Sequence, residues 1–180
     1  MNRNSSGSQW FRRVSWREWV GLGAGLLALA ALFLPWTVLT ADTATSDVRD
    51  AFASLPHDDV VRSAWHSDFF AWFPPFVVLA AGVVVVLFGQ RPKMRISGLP
   101  QLWLVAGLAA FVLVIIGWST LSWVFDSDQR AFLDVAGVAI NAGVGRYLGL
   151  LATLIAIAVA IADIRAARAE SRQPRKLPKR

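Results

Sequence analysis

Cysteine is absent from this 180-residue chain. No disulfide can brace it, and no thiolate can act as metal ligand, nucleophile or lipid attachment point. Histidine occurs only twice, at His57 and His66, within one short stretch. The chain contains no Walker loop, no GxSxG elbow and no HExxH spacing. Charge is also scarce, at 17% of residues, and unevenly spread. None appears between Glu18 and Asp42, between Asp68 and Arg91, between Arg95 and Asp126, or between Arg146 and Asp163. The catalytic classes that depend on a Cys–His or His–carboxylate constellation therefore have little to build on.

What fills those gaps is apolar, and hydrophobic residues make up 56% of the chain. About 20 apolar residues in a helix match the ~30 Å hydrocarbon layer of a bilayer. The expected fold is an all-α membrane protein, a four-transmembrane-helix bundle with a small extracytoplasmic cap of short helices and a possible short hairpin. The spans are expected at residues 19–39, 69–88, 102–124 and 146–163. They leave an N-terminal segment 1–18, outer loops 40–68 and 125–145, a cytoplasmic connection 89–101 and a tail 164–180.

Orientation follows from the sign of the intervening charge. The N-terminal segment has Arg3, Arg12, Arg13 and Arg17 against Glu18. The 89–101 connection has Arg91, Lys93 and Arg95 without an acid, and the tail from Arg165 to Arg180 is strongly basic. The other two connections are rich in aspartate. Basic segments resist translocation, so both termini are expected in the cytoplasm of a multi-pass plasma-membrane protein. Trp10, Phe11, Val14 and Trp16, interleaved with arginines, read as an interfacial anchor. The net charge of +6 has no nucleic-acid-binding module beside it, so nucleic acid is not an expected partner. The basic tail instead suits anionic lipids.

Small residues mark packing faces. Gly21 and Gly25 form a GxxxG pair in the first span, suited to packing within the molecule or to a dimer interface. In the fourth span, Gly145 and Gly149 continue into Ala152, Ala156 and Ala160 at four-residue intervals, a second close-packing face. Pro35 marks a kink or helix end near the outer side, and the regular part of span two is expected to start near Pro74 and Pro75. In the first outer loop, Ser46 is expected to cap a helix over residues 47–55 with Val48, Phe52 and Leu55 on one face. A second short helix is expected from Asp58, with Val60, Val61 and Trp65 inward.

Arg146 stands at the start of the fourth span. It is expected either to snorkel to the interface, with Asp126, Asp128 or Asp134 as partners, or to contact a ligand or partner. Ser119, Thr120 and Ser122 could line a path in an oligomer, or simply bond to their own helix. His57, Asp58, Asp59, His66 and Asp68 lack a metal-site spacing and read as solvated surface, so no metal or cofactor is expected.

The Ala/Val/Leu-rich spans, the preference for Arg over Lys, Leu34-Pro35-Trp36 and the run Gly143-Val144-Gly145-Arg146-Tyr147-Leu148 resemble the small four-span envelope proteins of high-GC Gram-positive bacteria. That resemblance implies a plasma-membrane location and no particular reaction. Claudin-like proteins share the larger first outer loop, but their cysteine pair and Trp-Gly-Leu-Trp signature are missing here. The sequence reading is a non-catalytic accessory or scaffold subunit of a cell-envelope or other membrane complex, with a membrane-protein partner or further copies of itself. Its alternative is an oligomeric transporter or channel, or a lipid-binding protein.

Overall fold

A computed structural model describes residues 14–91, 94 and 98–172. The described chain is mostly helical, with a small sheet at one end. Helix α1 spans Trp16–Ala31, strand β1 Pro35–Thr40, α2 Ser46–Ala53, α3 His57–Val60 and β2 Val61–Ser63. Helices α4 (Phe69–Phe88) and α5 (Leu99–Ser119) follow, then α6 (Ser127–Val135), β3 (Ala139–Ala142) and α7 (Val144–Arg172). Short 3-10 turns at Ala64–His66 and Leu121–Val124 lead into α4 and out of α5.

Three of these helices are long and apolar enough to cross a membrane: Phe69–Phe88, Leu99–Ser119 and the Val144–Ala169 part of α7. Helix α1, with 16 residues, is shorter. It packs against α4 and α7, and α5 packs against the same two helices. Where they meet, Ala24, Ala28, Val78, Ala110, Ala152 and Ala156 form a buried cluster. Many large apolar side chains are on the outside, with Leu102 and Val105 of α5 more than half exposed. Water would make this arrangement unfavourable, whereas lipid tails solvate such residues as readily as a protein core does.

Two sequence expectations are corrected here. The class is not purely α, and the first apolar run is not helical to residue 39. The helix stops at Ala31, and the chain turns through Leu34 into β1 at Pro35. Pro35 cannot continue the helical hydrogen bonding, and the aromatic and β-branched residues Trp36, Thr37 and Val38 suit a strand. Strand β1 lies centrally in the order β2-β1-β3. Both neighbours run antiparallel to it, with Val38 opposite Val61 on one side and Asn141 on the other. Within 125–145, where the sequence predicts an extended segment or a small hairpin over residues 135–143, the chain forms one extended strand that pairs with a distant partner.

The sheet and short helices form a cap. Leu39, Ala41, Ala44, Phe125 and Val138 are buried together, with Val48, Phe52, Val60 and Leu133 packed around them. Helix α2 starts at Ser46 with Thr45 as N-cap, so Ser46 is not the cap; its hydroxyl bonds to Asp47 instead. Leu55 and Trp65 are exposed rather than inward. The ring of Trp65 leans on Phe33 and Phe76. Helix α4 begins at Phe69, earlier than the prolines suggested, because the Asp68 carboxylate caps it by accepting the Ala71 N–H at 3.1 Å. Helix α7 runs to Arg172, past the end of the expected span at residue 163, in line with a sequence that predicts a helix projecting beyond the membrane through Ile164 to Ser171. The anchor residues Trp10 and Phe11 and the tail beyond Arg172 lie outside the described residues.

Candidate functional site

The small residues singled out in the sequence are notches, and each receives a specific neighbour. A methyl group added at Gly21 would collide with the ring of Trp103 on α5. One at Gly25 would come within 2.8 Å of the Leu79 Cα on α4. Gly82 answers from α4, where an added Cβ would be 2.9 Å from the Gly21 carbonyl oxygen. The pair Gly21 and Gly25 thus lets α1 approach α4 and α5 within the molecule.

At the cap end, Gly145 and Gly149 form the pocket for Trp36. A Cβ at Gly145 would lie 2.5 Å from the indole Nε1, and one at Gly149 would lie 3.1 Å from the ring's far edge. Trp36 is 1% exposed, and its Nε1–H donates to the Ala31 carbonyl at 2.5 Å. That carbonyl, in the last turn of α1, also accepts the Leu34 N–H at 3.2 Å. Further along α7, Ala152 and Ala156 belong to the central alanine cluster, and Ala160 packs with Val85, Trp103 and Val159.

Arg146 does not snorkel. It is 1% exposed, in the first turn of α7, beneath the sheet. Its Nε–H donates to the Trp36 carbonyl at 2.8 Å, and Nη1 donates to the Gly117 carbonyl in the last turn of α5. The guanidinium also lies 5.8 Å from the Trp36 ring centroid. The expected partners Asp126, Asp128 and Asp134 make none of these contacts. Helix carbonyls at a C-terminus carry partial negative charge, so α5 supplies part of the compensation that a carboxylate usually gives. Arg146 is therefore a clasp joining strand β1, α5 and α7, with Nη2 buried and making no hydrogen bond.

The opposite end has its own polar cluster. Ser15 and Glu18 form a capping box at the start of α1. Glu18 is 3% exposed and also accepts a hydrogen bond from Gln90 at the end of α4. Arg17 pairs with Asp163 of α7 at 3.0 Å. In the sequence, Arg17 reads as a topology marker and part of the interfacial anchor, and Glu18 as a topology marker. The S-x-x-E spacing of Ser15 and Glu18 was the available signal for the cap. Nothing local pointed to Gln90 or Asp163.

Two of the three hydroxyls considered as a path bond back to the helix that carries or precedes them. Ser119 donates to the Ile115 carbonyl and Thr120 to that of Ile116. Among the described residues, no group of three His, Asp or Glu side chains is placed to hold a metal ion. His66 instead shares a hydrogen bond with Ser63. A cavity of about 320 Å³ lies between α4 and α5, lined by Ala80, Ala81, Val84, Leu99, Leu102 and Ala106 over Trp103. It is apolar and offers no nucleophile, base or cation ligand. No protein family, curated protein or solved structure matches this chain.

Proposed function

We propose that this chain is a non-catalytic subunit of a larger plasma-membrane or cell-envelope complex. It crosses the bilayer four times, keeps both termini in the cytoplasm and displays the sheet-bearing cap outside. The observation that carries this reading is the pairing of a tightly filled alanine interior with an apolar exterior. Such a body is rigid and has no polar conduit through its alanine-filled middle, which suits a part that other proteins bind.

The fourth crossing depends on α1. Its 16 residues reach about 24 Å, less than the ~30 Å of hydrocarbon. Strand β1 extends the path. Non-helical backbone is tolerated at membrane depth only where protein encloses it. Strand β1 meets that condition, because it is paired on both edges and its Trp36 and Thr37 are each 1% exposed. The basic 89–101 connection and the basic tail then share the cytoplasmic side.

Purification of the full chain from its native membrane in mild detergent, followed by cross-linking and mass spectrometry, tests the role. The expected result is a reproducible, stoichiometric membrane-protein partner. A clean monomer, or a homo-oligomer that conducts ions or solutes in liposomes, contradicts it.

A further inference from the structure

We infer that the groove between α4 and α5 holds one acyl chain of an anionic phospholipid, whose headgroup meets Arg91. This rests on the reading of α4 and α5 as membrane-spanning helices. The groove is built from the second half of α4 and the first two turns of α5, so it lies at the end where these helices are connected. Its lining is wholly apolar apart from the indole of Trp103. Small residues at Ala80, Ala81 and Ala106 create the hollow, and Val84 and Leu102 form exposed walls.

At about 320 Å³ the hollow is at the small end of the ~300–1,000 Å³ range for ligand pockets, which fits part of one chain rather than a bulky ring system. The sign of the headgroup comes from the adjoining sequence. Residues 89–98 contain Arg91, Lys93 and Arg95 and no acid. Arg91 follows closely on α4 and lies against Phe88, with its guanidinium carbon 5.4 Å from the ring centroid. A chain in the groove would place a negative headgroup at this level, where the buried carboxylates Glu18 and Asp163 are already bonded to Gln90 and Arg17. The opposite, cap end of the molecule is rich in aspartate and would repel it.

Native mass spectrometry of the full chain in a neutral detergent, with phosphatidylglycerol or phosphatidylcholine added at equal concentration, tests the inference. The expected result is one retained phosphatidylglycerol per chain, favoured about fivefold over phosphatidylcholine, the preference that Arg91 alone would supply. Filling the hollow with Ala80→Phe and Ala106→Phe should weaken retention about tenfold or more. Ala80→Phe alone changes an exposed position, so it gives a second test if the double variant fails to fold. Arg91→Gln should remove the headgroup preference and leave the chain bound, and Arg172→Gln should change neither. Equal retention of the two lipids by the unaltered chain overturns the inference. So does undiminished retention by Ala80→Phe, or a preference lost in Arg172→Gln and kept in Arg91→Gln. A chain shown by labelling to cross the bilayer but retaining no phosphatidylglycerol loses only this inference, whereas failure to cross removes its basis as well.

Discussion

The guanidinium of Arg146 at the cap end is held by main-chain carbonyls, whereas that of Arg17 at the opposite end meets the Asp163 carboxylate. Arg146 is almost wholly buried and bridges three elements that are far apart in the sequence. The Arg17 side chain is 18% exposed and bridges two helices. The aromatic wedges differ in the same way. Trp36 fills the Gly145–Gly149 notch and donates to the end of α1, but Trp103 fills its notch at Gly21 with a buried Nε1 that makes no hydrogen bond. One end is thus closed by directional bonds to the backbone, which fix where strand β1 lies. The other end is closed by packing, by the hydrogen bond from Gln90 to the buried Glu18, and by the Arg17–Asp163 pair, whose partly exposed arginine salt and water can reach.

The largest expected effect comes from removing the clasp. Arg146→Met leaves the Trp36 and Gly117 carbonyls without their charged donor and should cost about 3 kcal/mol of stability, read as a lower unfolding midpoint in detergent. Arg146→Lys should recover less than half of that, because an ammonium cannot reproduce the fork that reaches both carbonyls. If Arg146→Met unfolds at the same midpoint as the unaltered chain, the contrast between the ends collapses.

Next come the notches. Gly145→Leu and Gly21→Leu each overfill a packed site, and each should cost about 2 kcal/mol. Gly145→Leu should be the more damaging, since it displaces both the Trp36 ring and its bond to Ala31. Equal midpoints for the two variants would show that the hydrogen bond adds nothing to the packing. Asp163→Asn should cost about 1 kcal/mol, and the difference from the unaltered chain should narrow as salt is raised. Smallest is Ser119→Ala, at under about 0.5 kcal/mol, because that hydroxyl only returns to its own helix. A change in solute flux on Ser119→Ala would instead revive a conduit.

The long helices were legible because charge is excluded from them over whole spans, and that signal survives without any knowledge of partners. Strand β1 was hidden inside such a run. Residues 19–39 read as one apolar span with a kink or helix end at Pro35, and the strand signal in Trp36, Thr37 and Val38 is masked by that reading. What made it a strand was pairing with residues 61–63 and 139–142, which no local pattern reveals. Glycine and alanine spacing identified the notches, but not the tryptophans that enter them. Gly145 and Trp36 are too far apart in the chain for helical periodicity to connect them. Arg146 was recognised as exceptional, yet its burial could not be read, because its partners are carbonyl oxygens that every residue possesses. The cap's Asp126–Gln129 capping box, by contrast, is a local motif of the kind a sequence displays directly.

The account rests most heavily on four crossings that place the cap on one side and both termini on the other. The chain has no cysteine, so single cysteines can be introduced at Ser8, Ser46, Ser127 and Ser171 and probed in intact cells with a membrane-impermeant maleimide. Ser46→Cys and Ser127→Cys, at exposed cap positions, should be labelled at once, and Ser8→Cys and Ser171→Cys only after permeabilisation. Labelling of Ser8→Cys from outside, with Ser171→Cys still protected, would mean that α1 does not cross and would contradict the account.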